Sequence, residues 1–442
     1  MVRDFRASKI TKTLPKFLLQ FSFFRLKKER MLKSLFFIYI FSIGLSLIQF
    51  EFVGLILFLL IILSVLAWLV WEEWTQETLG FSKGLGVFEV FFPFLLISTL
   101  YVLVWFKLDI FWVIFILEFQ SFIILGACYL FKKDNNWTII KGVEGSINYI
   151  FPAFFSFILM LFYVILSSYN LQTTYQMNLI MNGILTLSIL TKLGAFPVFI
   201  WVPRVFKNVC YNTLILLSVI SKVFLISIIL VYLPIKGPNL IIVGIISIML
   251  SSFYMLSTPN IKKFLAFSSI ANVGWSLILI VSTISGLPLD LTGSEVLCIF
   301  FFFYGFNLIL LCVVMRKESD YHLFYLSNKL VTNQYFVILL CILTLTLLSL
   351  SGLPPFSGFF GKYIILLEYF DYSLLITLFL LLTSALFVFI YLRPVVYYLT
   401  IGVANILKES YRSNTSKGMY SNVISYLVLL NIHIVFCVFY IL

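Results

Sequence analysis

The chain has 442 residues, of which 62% are hydrophobic and only 11% are charged, and its mean hydropathy is +1.10. Apolar runs of about twenty residues recur along it, so the composition excludes a soluble fold and indicates an all-α polytopic membrane protein. The formal net charge of +12 comes mostly from an N-terminal arm and short loops, as the positive-inside rule predicts. It therefore does not indicate nucleic-acid binding. The six cysteines form no metal-spaced cluster, and we expect no metal site.

The chain begins with a basic arm, residues 1–32, which we expect to be retained instead of cleaved as a transit peptide. N-terminal transmembrane helices follow over residues 33–71, where a short polar gap leaves either two spans or one long tilted helix. About thirteen spans are predicted: 33–49, 54–71, 88–106, 108–131, 147–168, 178–200, 211–233, 239–257, 262–284, 294–314, 335–370 with a break, 373–399 and 422–442. The last belongs to a C-terminal segment, residues 400–442.

The loop charges predict the orientation of these spans. With the arm on the inside, alternate loops share its positive charge: Lys132, Lys133, Arg204, Lys207, Lys262, Lys263, Arg316, Lys317, Arg393, Lys408 and Arg412. The opposite loops hold Asp290, Glu368 and Asp371 against a lone Lys236. We therefore expect the N-terminus inside and the C-terminus outside.

The stretch 184–206 carries a cation in an apolar run, Lys192, followed by Pro197 and Pro203. An ionised side chain at the centre of a membrane helix costs about 2.5 to 3.5 kcal/mol on insertion scales, and such residues usually mark ion or proton paths. Both prolines are expected to break the helix, because each lacks an N–H. Interrupted helices at membrane depth line cavities or are sealed by protein, so this stretch is a candidate site.

A second interruption lies at Leu350–Lys362, where Gly352, Pro354 and Pro355 precede Lys362. The two breaks occupy corresponding late positions in blocks 88–233 and 239–399, each predicted to hold five spans. An odd number of spans makes the second block enter the membrane from the opposite face. We therefore predict two inverted five-helix repeats with two broken helices.

Two further charges, Glu118 and Lys222, lie near the middle of their spans. A lysine stem is too short to snorkel from there to the interface, since it reaches about 6 Å of the roughly 15 Å half-thickness. A purely structural Glu118–Lys192 ion pair is an alternative, but it leaves Lys222 and Lys362 unexplained. Tyr304 and Asn307 are expected to bond one another or to line a cavity.

Several ordered motifs carry a resemblance to a known family: Lys192-Leu-Gly-Ala-Phe-Pro197, Trp201-Val-Pro203, the stretch Asn260–Trp275, and Gly352–Lys362. Over residues 88 to 400 the chain resembles the antiporter-like membrane subunits of respiratory complex I. That resemblance implies a proton channel, with fourteen helices in bacterial relatives. It assigns Glu118 and Lys192 as an ion pair, Lys222 as the central relay and Lys362 as the far relay. Asn272 stands where many relatives have histidine, so no titrating relay is assigned there.

The resemblance also implies a location in the mitochondrial inner membrane and partners among the other membrane-arm subunits, including adjacent antiporter-like subunits, with lipids around them. It implies no cofactor in this chain; NAD, FMN, iron–sulfur clusters and ubiquinone belong to other parts of such a complex. Two alternatives stay open. A stand-alone cation/proton transporter would work in proteoliposomes without partners, and a structural scaffold would tolerate neutral replacements of all four charges.

Overall fold

The computed structural model describes residues 110–130, 136–168, 175–222, 225–226, 239–285, 293–315, 336–354 and 356–410. These residues form helices, turns and short connections, with no strand among them, so the all-α prediction is confirmed for this part of the chain. The predicted basic arm, the spans before residue 108 and the last span lie outside the described residues. All described residues belong to one compact unit, residues 62–442.

Eleven helices are numbered here in chain order within the described part. They are α1 Ile110–Leu130, α2 Asn136–Ser168, α3 Tyr175–Leu193, α4 Trp201–Asn208, α5 Tyr211–Ile215, α6 Asn239–Ser257, α7 Ile261–Ser285, α8 Gly293–Met315, α9 Phe336–Ser351, α10 Ser357–Tyr372 and α11 Leu374–Ser410. The helix α5 continues directly into a π-helical turn, Leu216–Ile220. Five of them, α1, α2, α6, α7 and α11, are long and apolar enough to cross a membrane.

Most helix ends agree with the predicted spans, but α2 and α11 are longer than predicted. Helix α2 begins at Asn136 instead of residue 147, and α11 runs to Ser410. Hydropathy marks only the apolar part of a helix, whereas the backbone hydrogen bonds continue into the polar turns beyond it. The additional first turns of α2 include Lys141 and Glu144. Much of the loop predicted over residues 132–146 is therefore helical.

Helix α7 lies at the centre of the described bundle. It packs against α4, α6, α8 and α10, and almost all of its side chains are buried. The outer helices α2 and α11 instead leave large apolar side chains exposed, among them Phe151, Leu375 and Phe389. Exposed apolar surface of this extent suits contact with lipid, because hydrocarbon is as apolar as these side chains. The polar side chains therefore concentrate inside the bundle.

Both predicted interruptions are present, and a glycine forms each one. The helix α3 ends at Leu193, where Gly194 has φ +71°, and α9 ends at Ser351, where Gly352 has φ +82°. Positive φ favours glycine because it has no Cβ. The expectation that Pro203 breaks the helix is wrong. It is the third residue of α4, where N–H groups have no partner within the helix anyway.

Candidate proton-transfer site

Glu118 and Lys192 form an ion pair between α1 and α3. The Lys192 Nζ lies 2.5 Å from Glu118 Oε1, and the two side chains are 5% and 14% exposed, with the lysine the more buried. The same Nζ donates to the Leu117 carbonyl at 3.2 Å. The Ser121 hydroxyl lies 3.1 Å from the other carboxylate oxygen and 2.7 Å from the Glu118 backbone carbonyl, so these two oxygens compete for its single proton. Each charge thus has further polar contacts besides its partner.

The break after α3 places Lys192 in the last turn of that helix. Carbonyls at a helix end lack partners within the helix. The Trp201 indole supplies a partner from outside the helix, because its Nε1 donates to the Thr191 carbonyl at 3.1 Å. Tyr149 of α2 packs edge-on against the same indole, with ring centroids 5.6 Å apart. Aromatic side chains therefore seal the interruption on one side while the lysine faces the interior.

Lys222 follows the π-helical turn and is 4% exposed. Its Nζ donates to the Ser269 carbonyl on α7 at 2.8 Å. π-Helical turns inside α-helices are frequent at functional sites. A narrow cavity, lined also by Gln120, Ser121 and Tyr149, reaches both Lys192 and Lys222. The two lysines therefore line the same cavity.

Gln120 is a residue of this cavity that the sequence analysis missed. It is buried, and its amide nitrogen has no hydrogen-bond partner among the described residues. Its spacing from Glu118, two residues, matches no motif that would indicate a functional role. A buried glutamine in a membrane helix could have been singled out by polarity alone.

Lys362 lies in α10, against the second interruption, and is 5% exposed. Its Nζ donates to the Ser351 carbonyl at 2.9 Å and lies 3.5 Å from the Leu350 carbonyl. Those are the last carbonyls of α9, which the break leaves without helical partners. The rings of Trp275 and Phe387 flank the ammonium, with centroids 5.9 and 5.4 Å away. Such contacts favour the cation by charge–quadrupole attraction, and the sequence analysis did not anticipate them.

A second cavity lies beside Lys362 and is lined by Asn272, Tyr304, Asn307 and Ser357. Asn307 donates to the Ser357 hydroxyl at 3.2 Å, so the expected bond between Asn307 and Tyr304 is not seen, although both line the cavity. The Asn272 amide donates to the Ser268 carbonyl at 3.0 Å on its own helix.

The structure thus assembles the four predicted charges in two groups. In the first group, Lys192 and Lys222 line the first cavity and Glu118 is paired with Lys192. In the second, Lys362 lies beside the second cavity. The central helix α7 lies between the groups, since Ser269 accepts from Lys222 and Asn272 lines the second cavity. Buried lysines can pass protons where water or polar groups connect them, because an amine alternates between charged and neutral forms. Within the described ranges, no group of histidine, cysteine or acidic side chains could hold a metal ion.

A family model described as NADH:quinone oxidoreductase/Mrp antiporter, transmembrane region, matches residues 113–388. The chain therefore belongs to that family. The match spans all four predicted site residues and both interrupted helices. This membership confirms the resemblance to the antiporter-like membrane subunits.

The curated relatives point to one subunit type within that family. The chain is 30% identical to NADH-ubiquinone oxidoreductase chain 2 of Didelphis virginiana over 264 residues, 57% of this chain and 71% of that protein. It is 29% identical to chain 2 of Struthio camelus over 286 residues, 62% of this chain and 78% of the relative. For chain 2 of Varanus melinus the identity is 28% over 239 residues, and the match covers 53% of this chain and 65% of the relative.

Solved structures share the fold at lower identity. A chain of respiratory complex I from Thermus thermophilus matches with a TM-score of 0.57 at 17% identity, covering 83% of this chain and 94% of that one. A chain of the Mrp complex from Dietzia sp. DQ12-45-1b matches with a TM-score of 0.56 at 14% identity, and the match covers 80% of this chain and 77% of the Mrp chain. This chain therefore shares its helical fold with chains of both complexes.

Proposed function

We propose that the chain is the subunit 2 type of proton-translocating membrane-arm subunit in respiratory complex I. In this role it moves protons with energy released by NADH oxidation and ubiquinone reduction in other subunits. The observation that carries the proposal is the burial of Lys222 and Lys362, 4% and 5% exposed, with backbone carbonyls as the hydrogen-bond acceptors of both ammonium groups. A carbonyl does not neutralise a cation, so each lysine can lose its proton without leaving a buried anion behind.

The lysine that ends the Gly-Leu-Pro-Pro stretch supports the subunit assignment. Subunit 2 of complex I resembles this chain in having a lysine there, whereas subunit 4 has a glutamate in the corresponding place. Here the lysine is Lys362, which contacts the broken end of α9. The curated relatives agree, since each of those named above is chain 2.

In the proposed mechanism, Glu118 controls the charge of Lys192. While the carboxylate stays within contact distance, it stabilises the ammonium. If a change in the neighbouring subunit draws Glu118 away, burial favours the neutral amine, and Lys192 releases its proton towards Lys222. The cavity that both lysines line gives this transfer a direct route. Lys362 then acts as the far relay.

The proposal extends to the architecture. Residues 88–233 and 239–399 form two inverted repeats within about thirteen spans, supported by the matching glycine-centred interruptions after α3 and α9. The N-terminus lies in the matrix and the C-terminus in the intermembrane space of mitochondria. The chain carries no cofactor of its own, and its partners are other membrane-arm subunits and lipids.

Replacement of Lys362 by methionine tests this proposal. Methionine keeps the approximate length of the apolar stem but cannot carry a proton. We expect the assembled Lys362→Met complex to transfer fewer protons per NADH oxidised, with a smaller effect on assembly. A matched control is Lys263→Met, a half-buried lysine in the first turn of α7. A normal proton yield in the assembled Lys362→Met complex would remove Lys362 from the path.

A further inference from the structure

Tyr304 occupies an unusual position in the second cavity. Its side chain is 5% exposed on α8, and it lines the same cavity as Asn272, Asn307 and Lys362. The hydroxyl lies close to the Asn272 amide, yet among the described residues it has no hydrogen-bond partner of acceptable geometry. Buried polar groups are nearly always bonded to protein or to ordered water. A buried hydroxyl on a cavity that Asn272, Asn307 and Ser357 also line therefore points to water as its partner.

The route from Lys222 to Lys362 needs a group that both donates and accepts. Lys222 contacts the Ser269 carbonyl, and Asn272 lies one turn further along α7, about 4.5 Å along the helix axis. One N–H of the Asn272 amide donates to the Ser268 carbonyl, and a carboxamide does not exchange its donor and acceptor atoms as a proton passes. A hydroxyl does so, because its oxygen accepts one proton as it gives up another.

The neighbouring serine hydroxyls and the Asn307 amide each have a hydrogen-bond partner in the protein. The Ser268 hydroxyl accepts from Tyr391 at 2.5 Å, and the Ser269 hydroxyl donates to the Ala266 carbonyl at 2.7 Å. Asn307 donates to Ser357. The Tyr304 hydroxyl therefore keeps unused hydrogen-bonding capacity, and it lies in the cavity that reaches Lys362.

We infer that the Tyr304 hydroxyl relays protons, through water, between Lys222 and Lys362. This inference rests on the proposed function. The Lys222 ammonium gives a proton to a water molecule, and that water protonates the Tyr304 oxygen. The hydroxyl's original proton leaves through a second water to the neutral amine of Lys362. One O–H bond forms as another breaks, so the tyrosine and both waters end neutral while one positive charge has moved from Lys222 to Lys362.

The substitution Tyr304→Phe tests the relay because it removes one oxygen atom and keeps the ring. That oxygen has no partner among the described side chains and backbone groups, so a merely structural residue should tolerate its loss. The control is Tyr254→Phe, an exposed tyrosine on α6 whose ring stacks on Phe267 at 5.2 Å. Both variants are measured in the intact complex beside Lys362→Met, by complex yield and by protons moved per NADH oxidised.

We expect Tyr304→Phe to assemble as the unsubstituted complex does, while its proton yield falls to the level of Lys362→Met and Tyr254→Phe stays unchanged. A normal proton yield in Tyr304→Phe, together with a reduced yield in Lys362→Met, would overturn the relay role and leave the proposed function intact. Normal yields in both would overturn the proposed function itself. A loss of assembled Tyr304→Phe complex, with a normal proton yield in what remains, would assign the hydroxyl a structural role and also overturn the relay.

Discussion

The Glu118–Lys192 pair allows assembly and proton transfer to be separated by a double-mutant cycle. At a separation of 2.5 Å and an effective dielectric constant of ~20, the Coulomb attraction is roughly 6 to 7 kcal/mol. Removing both ions from water opposes this by several kcal/mol each, so the net contribution of the pair to folding is close to zero. Removing one partner is different, because it leaves a buried charge and typically costs about 3 to 5 kcal/mol.

The two single variants should differ in severity. In Glu118→Gln, the amide oxygen can still accept from Lys192, and the Leu117 carbonyl also remains, so the loss should lie near ~3 kcal/mol. In Lys192→Met, the Glu118 carboxylate is left with the Ser121 hydroxyl, whose single proton also bonds the Glu118 backbone carbonyl, and we expect a loss nearer ~5 kcal/mol. The double variant Glu118→Gln/Lys192→Met has no charge to compensate and should recover most of the lost complex.

The assay reads complex yield and proton flux per NADH oxidised for all four proteins. We expect the double variant to assemble well and to pump no better than Lys192→Met. A purely structural pair predicts that the double variant both assembles and pumps normally. Full proton flux in the assembled double variant would therefore refute the relay role of this pair.

Two other predictions use the second interruption and the loop charges. In Gly352→Ala, the new Cβ would lie 2.9 Å from Lys362 Nζ, on a backbone with φ +82°. We therefore expect a lower proton yield and a lower complex yield. The control is Gly183→Ala, where a new Cβ meets nothing within 4 Å and no effect is expected. An unchanged proton yield in Gly352→Ala would show that the position of Lys362 is not set by this contact. For topology, protease added to intact mitoplasts should cleave a tag at Leu442 but not one at the N-terminal arm, and the reverse pattern would invert the assignment.

The sequence predicted the class of fold and the buried charges because both depend on local composition. A lysine such as Lys222 is conspicuous in an apolar run whatever its neighbours are. The count of about thirteen spans stays a prediction from hydropathy and loop charges. The ends of α2 and α11 could not be predicted in the same way, since those turns extend beyond the apolar stretch. Gly352 was predicted at the second break, together with Pro354 and Pro355. The first break was predicted from Pro197 and Pro203, whereas Gly194 has the positive φ there and Pro203 is compatible with its helix.

The surroundings of the charges depend on contacts between distant parts of the chain. Trp275 of α7 and Phe387 of α11 contact Lys362, although they are 87 and 25 residues away from it in the sequence. No sequence pattern around either aromatic residue indicates this contact. Tyr304 was singled out as a polar residue of its span, but the absence of a protein partner for its hydroxyl follows only from the packing around the second cavity. Such side chains are fixed by tertiary structure and not by local periodicity.

The central claim is that buried lysines of this chain carry protons, and Lys222→Met tests it most directly. Among the described residues, Lys222 has no acidic partner; it lines the first cavity, and its ammonium donates to the Ser269 carbonyl on the central helix α7. The control is Lys207→Met, an exposed lysine in the last turn of α4. The account predicts that the assembled Lys222→Met complex moves fewer protons per NADH oxidised than the Lys207→Met complex. An equal proton yield in the two assembled complexes would contradict it.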